Sequence, residues 1–197
     1  MKIYNYKNYS EYHMAQKQAY LQKINNVWAT EYEMKLVARH IKANMPYAEF
    51  GLCHGVRNGY EVDKLYNLLQ STHNVAILGT ELGGANHPKI IQWDFHNVMP
   101  TWFERANFIY SNSLDHSPYP YRALGAWFVC LRPGGYIYLQ WSEEHNEHRS
   151  NKMDPFGATL GEYIEMCRGF TTNWEVLGLE DDKKLDKKLI ILKKWKE

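Results

Sequence analysis

Past Pro46 the apolar residues of this chain change rhythm. Short apolar runs alternate with helical faces, and that alternation is what most limits the folds open to it. The runs cover 47–53, 75–78, 90–93, 107–110, 136–141, 174–177 and 188–192. Between them Val62, Leu65, Tyr66 and Leu69 share one helical face, as do Leu124, Trp127, Phe128 and Leu131, and then Leu160, Tyr163, Ile164 and Cys167. Residues spaced three and four apart form one stripe that a helix buries. Strands alternating with such helices predict an α/β fold, a mostly parallel sheet covered on both faces. The last two runs are joined by the short polar stretch 178–187, which predicts a C-terminal antiparallel hairpin and seven strands in all. Parallel crossovers need about a dozen residues, so the tight links 79–89 and 95–106 are expected to hold single helical turns. Pro133-Gly134-Gly135 reads as a turn.

Residues 1–45 read as helical. Thr30 and Glu33 have capping-box spacing, and Met34, Val37, Ala38 and Ile41 follow on one apolar face until Pro46 stops the helix. The chain therefore divides into an N-terminal helical extension, 1–45, and one domain, 46–197. Tyr4, Tyr6, Tyr9, Tyr12 and Trp28 crowd that extension with aromatic rings, as a lid over a binding site would.

Charge removes several function classes. With 23 basic against 22 acidic residues the formal net charge is +1, too even for the basic stripe that sequence-independent nucleic-acid binding requires. No eighteen-residue apolar run offers a membrane span, and the opening residues lack the apolar segment of a secretory signal. Cys53, Cys130 and Cys167 each sit in an apolar stretch, which suits reduced core thiols and a cytoplasmic protein.

Four segments could carry chemistry. Glycines cluster in Glu49–Gly59, where a strand leaves and a helix opens; there the backbone can approach a ligand and helix N–H groups favour an anion. Glu81 ends the second strand, placed for ribose hydroxyls. Asp94, beside Phe95, ends the third and suits an exocyclic amine under an aromatic cover. Beyond the fourth lies Ser111-Asn112-Ser113-Leu114-Asp115-His116-Ser117, at the sheet edge where open α/β folds bind ligands. Its histidine is matched to neutral pH as a base. Each has a plainer explanation, as turn, cap or solvated loop. The same holds for Glu143–Arg149, whose His145 and His148 could bind a metal but fit a solvated rim loop better; no metal is expected.

Taken in order, these segments resemble the class I S-adenosylmethionine-dependent methyltransferases. The match runs over about 46–193: acidic-x-Gly-x-x-x-Gly after strand one, the acid after strand two, Asp after strand three, Asn-Ser-Leu-Asp-His after strand four, and Leu131-Arg132-Pro133-Gly134-Gly135 before strand five. It implies a Rossmann-like sheet with S-adenosylmethionine as cofactor. It also implies a contact set of Glu49, Gly51, Cys53, His54, Gly55, Glu81, Leu82, Asp94, Phe95, Ser111 and Asn112, with Cys53 replacing the middle glycine of the usual Gly-x-Gly-x-Gly. A dinucleotide oxidoreductase would want Gly-x-Gly-x-x-Gly, which Gly51–Gly55 does not supply. The strand-four segment is not the Asn/Asp-Pro-Pro-Tyr type tied to amino methylation. The expected reaction is therefore O-methylation of a sugar, glycan or other small hydroxylated acceptor, with His116, Asp115 and His145 as the catalytic group. A non-catalytic cofactor-binding or scaffold protein of the same fold, or an N-methyltransferase, is the alternative.

Overall fold

The computed structural model describes residues 1–179 and 186–195. The chain opens with β1 (Lys2–Ile3), α1 (Tyr9–Lys23) and α2 (Glu31–Asn44). It continues with β2 (Phe50–His54), α3 (Tyr60–Leu69), β3 (Ala76–Glu81), β4 (Ile90–Gln92), β5 (Ala106–Ser111), α4 (Pro120–Cys130) and β6 (Leu131–Ser142). β7 (Phe156–Gly157), α5 (Leu160–Arg168), β8 (Trp174–Leu179) and β9 (Lys187–Lys193) complete it.

Seven strands form one sheet in the order β4-β3-β2-β5-β6-β9-β8. β4 to β6 pair parallel through the centre, while β9 pairs antiparallel with both β6 and β8. This is the expected α/β sheet with its terminal hairpin; part of the expected link, 180–185, lies outside the described residues. Two apolar layers enclose the sheet. Met34, Val37, Ile41, Val62, Leu65 and Leu69 of α2 and α3 pack on one face. Ala123, Leu124, Trp127, Tyr163 and Cys167 of α4 and α5 pack on the other. Among the described residues no helix is long and apolar enough to cross a membrane.

Several local expectations are corrected. The first 45 residues are not uniformly helical: Lys2 and Ile3 pair antiparallel with Gly157 and Phe156, and the N-terminal ammonium bonds Glu162. α2 shares the core with α3, so it is a layer of the domain, and only α1 stands apart as an added element. The Thr30–Glu33 capping box is half formed. Thr30 Oγ1 accepts from the Glu33 N–H, but the Glu33 side chain turns inward, fully buried, to accept from Tyr110 Oη at 2.7 Å and Gln140 Nε2 at 2.9 Å. A helical turn does occupy the link before β5, at Pro100–Trp102, whereas the link before β4 has none. Pro133-Gly134-Gly135 lies inside β6 as an irregularity, with Gly134 at φ 77° and the pairing shifted between Ala106 and Phe108.

Candidate functional site

Because β2, β3, β5 and β6 run parallel, their carboxyl ends share one edge. β2 lies between β3 and β5, so the chain crosses over in opposite directions on its two sides. That switch point opens a crevice outside the strand ends. A cavity of about 510 Å³ lies there, lined by Gly55–Asn58, Glu61, Asn112–Ser113, Asp115–His116, His145 and Asp154, with Lys23 and Trp28 on its outer wall.

The glycine-rich loop sits four residues later than expected. Gly51 is a mid-strand residue whose Cβ would meet the Phe108 ring at 2.2 Å, and Glu49 is exposed before β2 begins, at the opposite end from the cavity. Cys53 and His54 are buried within β2. His54 bonds Thr80 Oγ1, stacks on Trp127, and is pushed by burial down to about 3, so it stays neutral. The backbone turns instead at Gly55, Arg57 and Gly59, with φ of 70°, 43° and 83°. Arg57 thus stands where a middle glycine would be expected. A Cβ on Gly55 would lie 2.5 Å from Ser113 Cβ, so only glycine lets this loop approach the strand-four segment.

Glu81 does reach this edge. Its carboxylate accepts from the Arg57 and Gly83 N–H groups, each at 3.0 Å, and so braces the loop. Glu81, Leu82 and Phe95 border a second crevice that α1 fills with Tyr12, Gln16 and Tyr20, leaving about 30 Å³. Asp94 is turned away. It accepts from Tyr9 Oη at 2.8 Å, lies 2.6 Å from His96 Nδ1, and lines shallow clefts with Asn97. Burial opposes its ionisation, but the His96 and Tyr9 hydrogen bonds prevail and hold it down at about 2. Here Asp94 anchors α1 to the sheet. Ser111 supports the loop from below, donating to His54 O and accepting from the Ser113 N–H.

The proposed catalytic group does converge. His116 Nδ1 faces Gln16 Oε1 at 3.1 Å, Met153 O at 3.2 Å and Asp154 Oδ1 at 3.6 Å. Burial pushes Asp154 up, yet the charges of His116 and Lys23 outweigh it and hold the carboxyl below its usual value. His145 Nε2 lies 3.9 Å from Asp115 Oδ2, and its ring stacks near Trp28. Burial pushes His145 down, keeping it neutral. Ligand atoms of Asp115, His116 and Asp154 come within 4.8 Å of one another, a donor set able to accept a divalent cation. His148 is exposed on the rim.

Sequence reasoning missed Glu61, Arg57, Asp154, Lys23 and Gln16. Of these, only Arg57 and Glu61 lay within reach of a motif, just past the glycine cluster. Six buried side-chain atoms among the described residues lack a hydrogen-bond partner, and Glu61 Oε2, Asp115 Oδ1 and His145 Nδ1 all belong to residues lining this cavity. Buried polar atoms are seldom left so, and three of the six meeting at one cavity make it the candidate site for a polar ligand.

No protein-family model matches the chain, and no curated protein matches it. Solved structures do. A Burkholderia thailandensis 1,6-didemethyltoxoflavin-N1-methyltransferase, with 1,6-didemethyltoxoflavin and S-adenosylhomocysteine bound, superposes at TM-score 0.75 and 14% identity, covering 98% of this chain and 92% of its own. The chain has the class I methyltransferase fold. The CurJ carbon methyltransferase matches at TM-score 0.63 and 12% identity, over 90% of this chain, which spans 57% of that one. The [4+2]-cyclase SpnF matches at 0.63 and 10%, over 93% and 94%. A methyltransferase fold thus carries N-methylation, C-methylation and ring closure in these three proteins, and the fold alone does not choose among them.

Proposed function

We propose that this chain is an S-adenosylmethionine-dependent methyltransferase acting on a hydroxyl of a small polar acceptor, such as a sugar. The observation that carries this reading is the 510 Å³ cavity at the switch point, bordered by the Gly55–Gly59 loop and by three buried polar atoms without partners among the described residues. The residues fit the cofactor in part. Loop, Glu61 and Asn112 suit its amino-acid half. Glu81, Leu82 and Phe95 suit the nucleoside half once α1 withdraws Tyr12 and Tyr20 from their crevice.

The cofactor supplies a methyl group on a sulfonium centre, and the protein supplies orientation and proton handling. His116 takes the acceptor's proton. With Nδ1 donating toward Met153 O and Asp154, neither of which belongs to α1, Nε2 is the ring atom left to act as base. Asp154 then faces the imidazolium that forms. Asp115 and neutral His145 hold acceptor hydroxyls. Three buried free thiols support a reducing, cytoplasmic setting.

N-methylation is the second reading, favoured by the similarity to an N1-methyltransferase over 98% of this chain. Incubation with methyl-labelled S-adenosylmethionine and a panel of sugars, phenols and amines, read by mass spectrometry, separates them. Methyl gain on hydroxylated acceptors supports O-transfer. Gain confined to amines overturns it.

A further inference from the structure

Glu61 occupies an unusual place for a carboxylate. It stands in the first turn of α3, directly after the glycine-rich loop, and is 5% exposed. One oxygen accepts a long hydrogen bond from Asn112 Nδ2 at 3.3 Å, and the other has no partner among the described residues. The side chain lines the main cavity beside Gly55–Asn58. Of the two cations nearest along the chain, Lys64 faces Glu31 at 3.8 Å, and Arg57, whose charge favours the Glu61 carboxylate, spends its Nη1 on Asn26 O at 3.2 Å. Among the described residues no cation pairs directly with Glu61; a buried carboxylate so placed is costly, and one that faces a cavity offers a place to a cationic donor.

We propose that Glu61 receives the α-ammonium group of the cofactor's amino-acid half, with Asn112 holding the carboxylate in place. This rests on the methyltransferase reading and assigns within it a residue that fixes the cofactor's orientation. Three features support it. The unpartnered oxygen lies at the loop where the amino-acid half is placed. An ammonium has donors enough to satisfy it and to reach a loop carbonyl as well. Burial pushes Glu61 up to about 7, and a cation alongside would keep it ionised. A hydroxyl could fill the same space, but it would leave the buried charge uncompensated.

The test is calorimetric titration of S-adenosylhomocysteine, and of its analogue lacking the α-amino group, into the full chain and into Glu61→Gln. The wild type is expected to bind S-adenosylhomocysteine about 10- to 100-fold more tightly than the analogue, the range of a charge-assisted hydrogen bond. Glu61→Gln is expected to lose that preference and to bind the analogue within about twofold of wild type. Equal binding of both ligands by the wild type overturns the proposal without any variant. So does a Glu61→Gln protein that keeps the preference or loses affinity for both ligands alike. A wild type that binds neither ligand removes the methyltransferase reading itself, and the Glu61 assignment with it.

Discussion

At the scale of single residues the account turns on which nitrogen of His116 is free. Three oxygens face Nδ1, which leaves Nε2 as the ring atom that the proposed reaction would use as base. Replacement by Ala is expected to lower turnover by about 10²–10⁴ while leaving cofactor affinity nearly unchanged. His116→Gln should do little better, because an amide orients an acceptor but takes no proton. Steady-state kinetics on the identified acceptor checks this, and near-normal turnover in both variants transfers the role to His145. Glu81→Ala is expected to weaken S-adenosylhomocysteine binding by about 1.5–3 kcal/mol, through lost ribose contacts and a loosened Arg57 N–H; unchanged affinity in titration removes it from the site. Asp115, His116 and Glu81 were legible because each follows a strand, where sequence order alone puts a side chain at the sheet's edge. Asp154, Lys23 and Gln16 were not, since they join the site from 38, 93 and 100 residues away from His116 by packing, which no local spacing records.

At the scale of elements, every strand of the main sheet was readable from its apolar run and every core helix after Pro46 from its stripe. The register of the glycine loop was not. Gly51 and Gly55 look alike in sequence, yet one clears the Phe108 ring inside β2 and the other turns the backbone at φ 70°. The two positions should therefore respond differently. Gly51→Ala is expected to destabilise the fold by about 1–3 kcal/mol through overpacking, with cofactor binding kept in the folded fraction. Glu49→Ala should change neither stability nor binding. Denaturant melts paired with titrations distinguish these outcomes, and lost binding in a stable Glu49→Ala protein would restore the earlier register. α1 makes a further claim at this scale. It blocks the Glu81 crevice with Tyr12 and Tyr20 while Asp94 holds it through Tyr9. Amide hydrogen exchange across Tyr9–Lys23 is expected to change on cofactor binding as the helix shifts; an unaltered pattern in a protein shown to bind means that the nucleoside lies elsewhere.

At the scale of the whole molecule, four buried ionisable groups contribute to how stability follows pH between about 4.5 and 7. Burial raises Glu33 and Glu61 to about 7, so the native state holds protons that the unfolded chain releases, and their contribution is lost as pH rises from about 4.5 through 7. Burial lowers His54 to about 3 and depresses His145, so their contribution is lost in the opposite sense, as pH falls below about 6.5. The two effects oppose each other between about pH 4.5 and 6.5, each group acting with a slope of at most about 1.4 kcal/mol per pH unit. Because Glu61 loses its proton between about pH 4.5 and 7, Glu61→Gln should lose less stability, or gain more, than the wild type as pH rises through that window. Urea melts at half-unit intervals read this directly, and parallel curves for the two proteins would contradict it. The expectations for binding and turnover depend on the cavity beside the Gly55–Gly59 loop taking S-adenosylmethionine. Calorimetric titration of S-adenosylmethionine into the full chain, with Gly55→Val as the control that fills the loop's approach to Ser113, tests it most directly. Saturable one-to-one binding that the folded Gly55→Val protein lacks is the predicted result; no heat of binding up to millimolar ligand, or equal binding by a folded Gly55→Val protein, would contradict it.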